Sequence, residues 1–206
     1  AISEEDTMPS RLGEDTMGEI EAVLDGGFRL RSVYQSFLAK WVAFNRAYND
    51  LELGTRRDRE KVLAVGQELQ DHWGEVSDLA RQLVSMECIG SERVEGSDLL
   101  KPTNWVKSAT LYLRERLSLV SPADPQACEF AACRARKREL CSEGSDTWPG
   151  QEMAALLRLV YQVRCNLVHG DKRLVDQDIQ TNRDGQLVQV STQIVDRVLE
   201  LLLLEE

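Results

Sequence analysis

Apolar residues recur along this chain at steps of three and four, the spacing of one face of a helix. Val33, Phe37, Trp41, Phe44, Tyr48 and Leu51 follow one another at steps of 4, 4, 3, 4 and 3. This run predicts a well-buried second helix. Ahead of it, Met17, Ile20, Val23 and Leu24 predict a short helix from about Glu14 to Asp25, stopped by Gly26-Gly27. A third helix is predicted from Asp58 to Met86, with Val62, Val65, Leu69, Trp73, Val76, Leu79 and Leu83 on one stripe. No proline falls between Arg11 and Lys101, so nothing in the backbone opposes these helices.

Beyond Gly90 the punctuation changes. Gly90 to Lys101 reads as a loop, and Thr103 or Asn104 as the cap of a helix to about Leu119, with Val106, Leu113 and Leu117 inward. Ser121-Pro122 breaks that pattern, and Asp124-Pro125 opens another helix to about Leu140. Ser142 to Gly150 reads as a second loop. Pro149 then introduces a helix through His169, with Met153, Leu156, Val160, Val163 and Leu167 on one side. The last helix, from about Gln186, uses Leu187, Val190, Ile194, Val198 and Leu201. No segment alternates long enough to compete as a buried strand. The expected fold is all-α: one antiparallel helical bundle spanning residues 1–206, with 90–150 as a helical insertion.

Composition narrows the function. Lys and Arg number 25 against 35 Asp and Glu, a net charge of −10, which argues against a protein that coats nucleic acid indiscriminately. No apolar run approaches the ~20 residues of a membrane span, and the first residues do not read as a signal peptide. Five scattered cysteines fit reduced thiols, so a cytoplasmic location is expected.

The segment that carries chemistry is Tyr161-Gln162-Val163-Arg164-Cys165-Asn166-Leu167-Val168-His169-Gly170-Asp171-Lys172. Gly170 suits the left-handed residue after a helix, which puts His169 in the last turn, where the helix dipole favours a protonated imidazole. Histidine titrates near ~6.5 and so serves as acid or base near neutral pH. Arg164 precedes it by ~1.4 turns, so the two sit ~140° apart and ~7.5 Å along the axis. Asn166 lies one turn before His169 and can touch it. A planar guanidinium that grips phosphate, beside an imidazole that exchanges protons, fits phosphodiester chemistry. The structural alternative is that Arg164 caps carbonyls or pairs with an acid while His169 decorates a helix end.

The element Arg164-Cys165-Asn166-Leu167-Val168-His169-Gly170 resembles the HEPN superfamily (higher eukaryotes and prokaryotes nucleotide-binding), closest to the branch of ApeA-like defence proteins. Trp41-Val42-Ala43-Phe44-Asn45-Arg46-Ala47-Tyr48 is similar to the aromatic first core helix of such domains. The likeness covers roughly Phe28 to Tyr48 and Met153 to Leu204. It implies a homodimeric, metal-independent endoribonuclease without a cofactor, whose Arg and His meet across the dimer cleft and leave a 2′,3′-cyclic phosphate. Carried onto this chain, Arg164 stabilises the phosphate, His169 is the general acid or base, and Asn166 orients substrate or histidine. Many relatives carry the Asn directly after the Arg; here Cys165 intervenes. Lys172 and Arg173, just beyond the histidine, are placed to meet RNA phosphates. A bacterial toxin or anti-phage effector is the expected role, restrained by an antitoxin or regulatory protein. Relatives modified by a nucleotidyltransferase antitoxin have Tyr two positions after the His; Asp171 stands there, so that route of control is not expected. The competing reading is a non-catalytic scaffold that binds a nucleotide, RNA or a protein.

Other features read as structural. His72 is expected to be a bundle histidine with a local hydrogen bond, and Trp41, Phe44 and Tyr48 core packing. Arg56, Arg57, Arg59 and Lys61 read as a solvated helix start. Arg134, Arg136, Lys137 and Arg138 form the strongest basic cluster, more in keeping with a solvated helix end than an RNA grip. Cys128, Cys133 and Cys141 lack a fourth ligand and the close pairing of a zinc site, and Cys165 reads as a buried or inert thiol.

Overall fold

The computed structural model describes residues 12–24, 33–51, 53–85, 104–119, 148, 150–169 and 183–204; within these, the side chains of some helical residues, Val23, Val106, Asn166 and His169 among them, lie outside the description. The expected loop at 90–101, the helix of 125–140, most of the loop at 142–150, the Gly26-Gly27 and Gly170 helix stops, the cysteines 128, 133 and 141 and the 134–138 basic cluster lie outside the described residues.

Among the described residues all regular structure is helical: α1 Glu14–Leu24, α2 Val33–Asp50, α3 Asp58–Glu68, a 3₁₀ turn Leu69–His72, α4 Trp73–Ser85, α5 Asn104–Arg116, α6 Glu152–His169 and α7 Arg183–Leu204. The chain folds as an all-α bundle, as its periodicity predicts. No helix of the described residues is long and apolar enough to cross a membrane. Phe37, Trp41, Phe44 and Tyr48 are buried on α2, Val62 and Val65 on α3, Val76 and Leu83 on α4, and Leu187, Val190, Ile194, Val198 and Leu201 on α7. The α2 rings pack in edge contacts, Trp41 to Phe44 and Phe44 to Tyr48 both at 5.2 Å between centroids. The core role expected of this row is what the structure shows.

One predicted helix is two. The stripe from Asp58 to Met86 is interrupted by the 3₁₀ turn at Leu69–His72. Four residues wound at 3.0 per turn advance the later stripe by about 80° relative to a continuous α-helix. That rotation lets α3 face α2 and α6 while α4 turns to α5 and α7. Gln70 in the turn is held by α6: it donates to Glu152 Oε2 at 2.9 Å and accepts from the Met153 backbone N–H at 3.0 Å. The amide thus caps an otherwise orphaned donor at the start of α6. A period of three or four cannot reveal a partner that far along the chain.

The helix expected to show one apolar side, α6, is buried nearly all round in its first half. Met153 through Val160 are all buried, Arg158 included. A helix apolar on every face belongs at the centre of a bundle, and α6 packs against α3, α5, α7 and α4. Within the segment 90–150, α5 adds Ala109, Leu113, Leu117 and Leu119 to this same core. It ends in a hydrogen-bonded hook: Leu119 N–H donates to Arg114 O at 2.7 Å and Ser118 N–H to Glu115 O at 2.9 Å. Ser118 takes the left-handed backbone (φ 58°) that this terminus requires, so the helix stops before Ser121-Pro122.

Arginines join the ends of two helices. The fully buried Arg114 of α5 donates from Nε (2.9 Å) and Nη2 (2.7 Å) to the Val84 carbonyl at the end of α4. Arg81 of α4 returns the contact, donating to Leu117 O at 2.7 Å. Cations at helix C-termini satisfy orphan carbonyls and the negative dipole end together. Between α2 and α7, Lys40 pairs with Asp196, whose carboxyl is raised by burial against the opposing pull of Lys40. His72 carries the local bond expected of it, to Glu75 Oε1 at 2.9 Å. Glu75 also pairs with Arg197 of α7, and these two partners hold its carboxyl below the usual range, the His72 contact first.

Candidate functional site

The close approach of α3 and α6 sets the geometry around Arg164. Gly66 lies against Ala154, where a Cβ would stand 2.5 Å from the Ala154 Cα, and Gln70 reaches Glu152 and Met153. Partners falling along one helix as they rise along the other mean that α3 and α6 run antiparallel. Seven residues back from Gly66 is Arg59, and seven forward from Ala154 is Tyr161. At ~1.5 Å rise per residue this pair stands at matching heights. The first turn of α3 therefore lies beside the later turns of α6, which carry the sequence motif.

Arg164 is half-buried there. Its Nη1 lies 4.0 Å from the Cys165 Sγ, and among the described residues it meets no carboxylate. Two phenols flank it. Tyr161 packs against Trp41 at 5.9 Å between centroids, and its hydroxyl is within hydrogen-bonding reach of the Cys165 sulfur. Tyr48 is buried, and its oxygen accepts a hydrogen bond from the Asn45 amide. Both phenols are pushed above the ordinary tyrosine range. For Tyr48 the causes are burial and then Asp58; for Tyr161 they are burial and then Cys165. Arg164 pulls both the other way, as a cation close to both hydroxyls must. Both phenols thus remain neutral donors near pH 7.

One turn toward the start of α6, the buried Arg158 lies over the Tyr161 ring, 5.6 Å from its centroid. Burial, then the neighbouring cation Arg59, bring its guanidinium down to about 10. The surroundings of Arg164 are therefore cationic and phenolic, with Asp58 the carboxylate that acts on both tyrosines.

The candidate residues stand as follows. Arg164, Asn166 and His169 all lie on α6, and for Asn166 and His169 the structure describes the backbone alone. Lys172 and Arg173 lie outside the described residues. Cys165, expected to be buried or inert, is half-buried against Tyr161 and Arg164. Sequence reasoning assigned no role to Tyr161 or Arg158 and took Tyr48 as core alone. Their helical offsets from Arg164, three and six residues, are legible, but the approach of α2 and α3 to that face is not. Among the described residues no three His, Cys, Asp or Glu side chains gather as a metal site would require.

Compared with protein-family models, curated proteins and solved structures, the chain has no significant match.

Proposed function

We propose that this chain is a metal-independent endoribonuclease of the HEPN type, working as a homodimer and serving as a toxin or anti-phage effector. The observation that carries the reading is the state of Arg164. It is a half-buried guanidinium with no carboxylate among the described residues, on the same helix as His169. A fixed cation with no acid bonded to it among the described residues is available to a phosphate, whereas one neutralised by an acid is not.

In the proposed reaction, a base takes the proton of a ribose 2′-hydroxyl, and the 2′-oxygen attacks the adjacent phosphorus. The bond from phosphorus to the 5′-oxygen breaks, and an acid protonates that oxygen. The products are a 2′,3′-cyclic phosphate and a 5′-hydroxyl. His169 supplies one of the two proton transfers, and Arg164 holds the charge of the pentacoordinate phosphorane. Asn166 orients histidine or substrate, and Lys172 and Arg173 meet flanking phosphates.

End-mapped sequencing of cellular RNA after expression of the wild type beside His169→Ala tests the reading. Discrete new 5′-hydroxyl ends are expected with the wild type and none above background with the variant. Identical end maps from the two proteins would refute it and favour a binding or scaffold module.

A further inference from the structure

Successive residues of a helix are ~100° apart, so Tyr161, Cys165 and His169 fall at ~60°, ~100° and ~140° around α6 from Arg164. Tyr161 and Cys165 thus occupy the arc that separates the arginine from the histidine. Side chains of adjacent residues on a helix do not face each other, yet the Arg164 Nη1 lies 4.0 Å from the Cys165 Sγ. The guanidinium is therefore bent across the helix surface along this arc, toward the flank on which His169 stands. Cys165 is held in turn from one turn earlier. The Tyr161 hydroxyl is within hydrogen-bonding reach of its sulfur, as residues four apart on a helix allow. Asp58 acts on the same hydroxyl as a charge, and less strongly than Cys165. The Tyr161 ring is fixed by two contacts: Trp41 meets it at 5.9 Å between centroids, and the Arg158 guanidinium lies over it at 5.6 Å. Trp41 is itself buried and packed on Phe44. A chain of contacts runs from the aromatic row of α2 through Tyr161 and Cys165 to Arg164.

We propose that Cys165 and Tyr161 are positioning residues: Cys165 draws the head group of Arg164 toward the flank of His169, Tyr161 fixes the sulfur, and the Nε–Nη2 edge of the guanidinium is thereby presented to the reacting phosphate. The proposal rests on the nuclease reading for the group that Arg164 meets. The residue type suits the task. Sulfur is a weak acceptor, so it gives a guanidinium direction without neutralising it, as a carboxylate in the same place would. A contact through Nη1 leaves the Nε–Nη2 edge with the two parallel donors that a phosphate takes. The cysteine that stands between Arg164 and Asn166 in the sequence is then part of how the site is built.

The test has a kinetic and a spectroscopic arm. With a labelled RNA holding a mapped cut site, Cys165→Ala should lower kcat about tenfold and leave KM within about twofold, since a misaimed donor is lost mainly in the transition state. Cys165→Ser keeps an acceptor and should recover to within about threefold of the wild type. Tyr161→Phe keeps the ring on Trp41 and should lower kcat about fivefold. In an Arg164→Lys background there is no fork to aim, and Cys165→Ala should add less than about twofold. Equal losses in the two backgrounds, or a serine variant as impaired as the alanine one, would overturn the proposal. Nitrogen NMR of the isotope-labelled chain needs no activity. A guanidinium held at Nη1 gives separate Nη1 and Nη2 signals, and one that rotates freely gives a single averaged signal. Arg164, assigned by the loss of its signals in Arg164→Lys, should show two in the wild type and in Cys165→Ser, and one in Cys165→Ala. One signal in the wild type, or two in Cys165→Ala, would overturn the proposal. The two readings separate. A wild type that leaves RNA uncut but shows the expected signals retains the held guanidinium and forfeits the nuclease. A wild type that cuts while Cys165→Ala cuts equally well does the reverse.

Discussion

Arg164→Ala is expected to lower RNA cleavage by at least about 100-fold, the usual cost of removing one preorganised donor from a developing oxyanion. The guanidinium is half-buried and partnerless toward carboxylates among the described residues, so its removal leaves no buried acid stranded. Stability should change by no more than about 1 kcal/mol, from the lost packing of its stem. Arg164→Lys sharpens the test. Lysine keeps the charge but not the planar fork, and partial activity, down by about tenfold, is expected if bidentate contact to phosphate matters. A thermal melt beside the cleavage assay separates chemistry from folding. Large activity loss with an unchanged melt supports the assigned role; parallel loss of both would make Arg164 a structural residue.

The largest effect on stability is expected at Gly66. Its missing side chain lets α3 lie on α6, and an added Cβ would meet the Ala154 Cα at 2.5 Å, its N at 2.8 Å and the Met153 carbonyl carbon at 3.1 Å. All three are backbone atoms, so no rotamer change relieves the clash. Gly66→Ala should cost about 3 kcal/mol despite alanine's better helix propensity, and lower Tm by roughly 6–12 °C. Gly18, on α1 with nothing within 4 Å of an added Cβ, provides the contrast. There the propensity gain stands alone, and Gly18→Ala should stabilise by about 0.5–1 kcal/mol. Because Gly66 also sets the approach of α3 to α6, whose later turns carry Arg164, any activity left in Gly66→Ala should fall more than its folded fraction does.

The stripes on α2 and α7 were legible because each repeats at the helical period over three or more turns, and the structure buries most of each; the shorter runs on α3 and α4 were legible only as one joint stripe. The break at Leu69–His72 was not legible, since Val65, Leu69 and Trp73 keep the step of four straight through it. Gln70 in that turn meets the start of α6 more than eighty residues later, and local pattern carries no trace of that. The central place of α6 was half legible: Leu156, Val160 and Val163 predicted one face, but Ala154, Leu157 and Leu159 cover the others. At the site, Arg164 declared itself by residue type and by its distance from a histidine. Tyr48 of α2 and Asp58 of α3 reach its neighbourhood through the packing of other helices on α6, and such packing is a tertiary fact.

The central claim is that this helical chain cuts RNA with its own side chains and no metal. The purified chain incubated with RNA in excess EDTA, with the ends of the fragments then determined, measures it most directly. The account predicts fragments bearing 2′,3′-cyclic phosphate and 5′-hydroxyl ends, absent with Arg164→Ala and with His169→Ala. Intact RNA, cleavage that returns only on adding a divalent cation, or cleavage that survives both substitutions would contradict it.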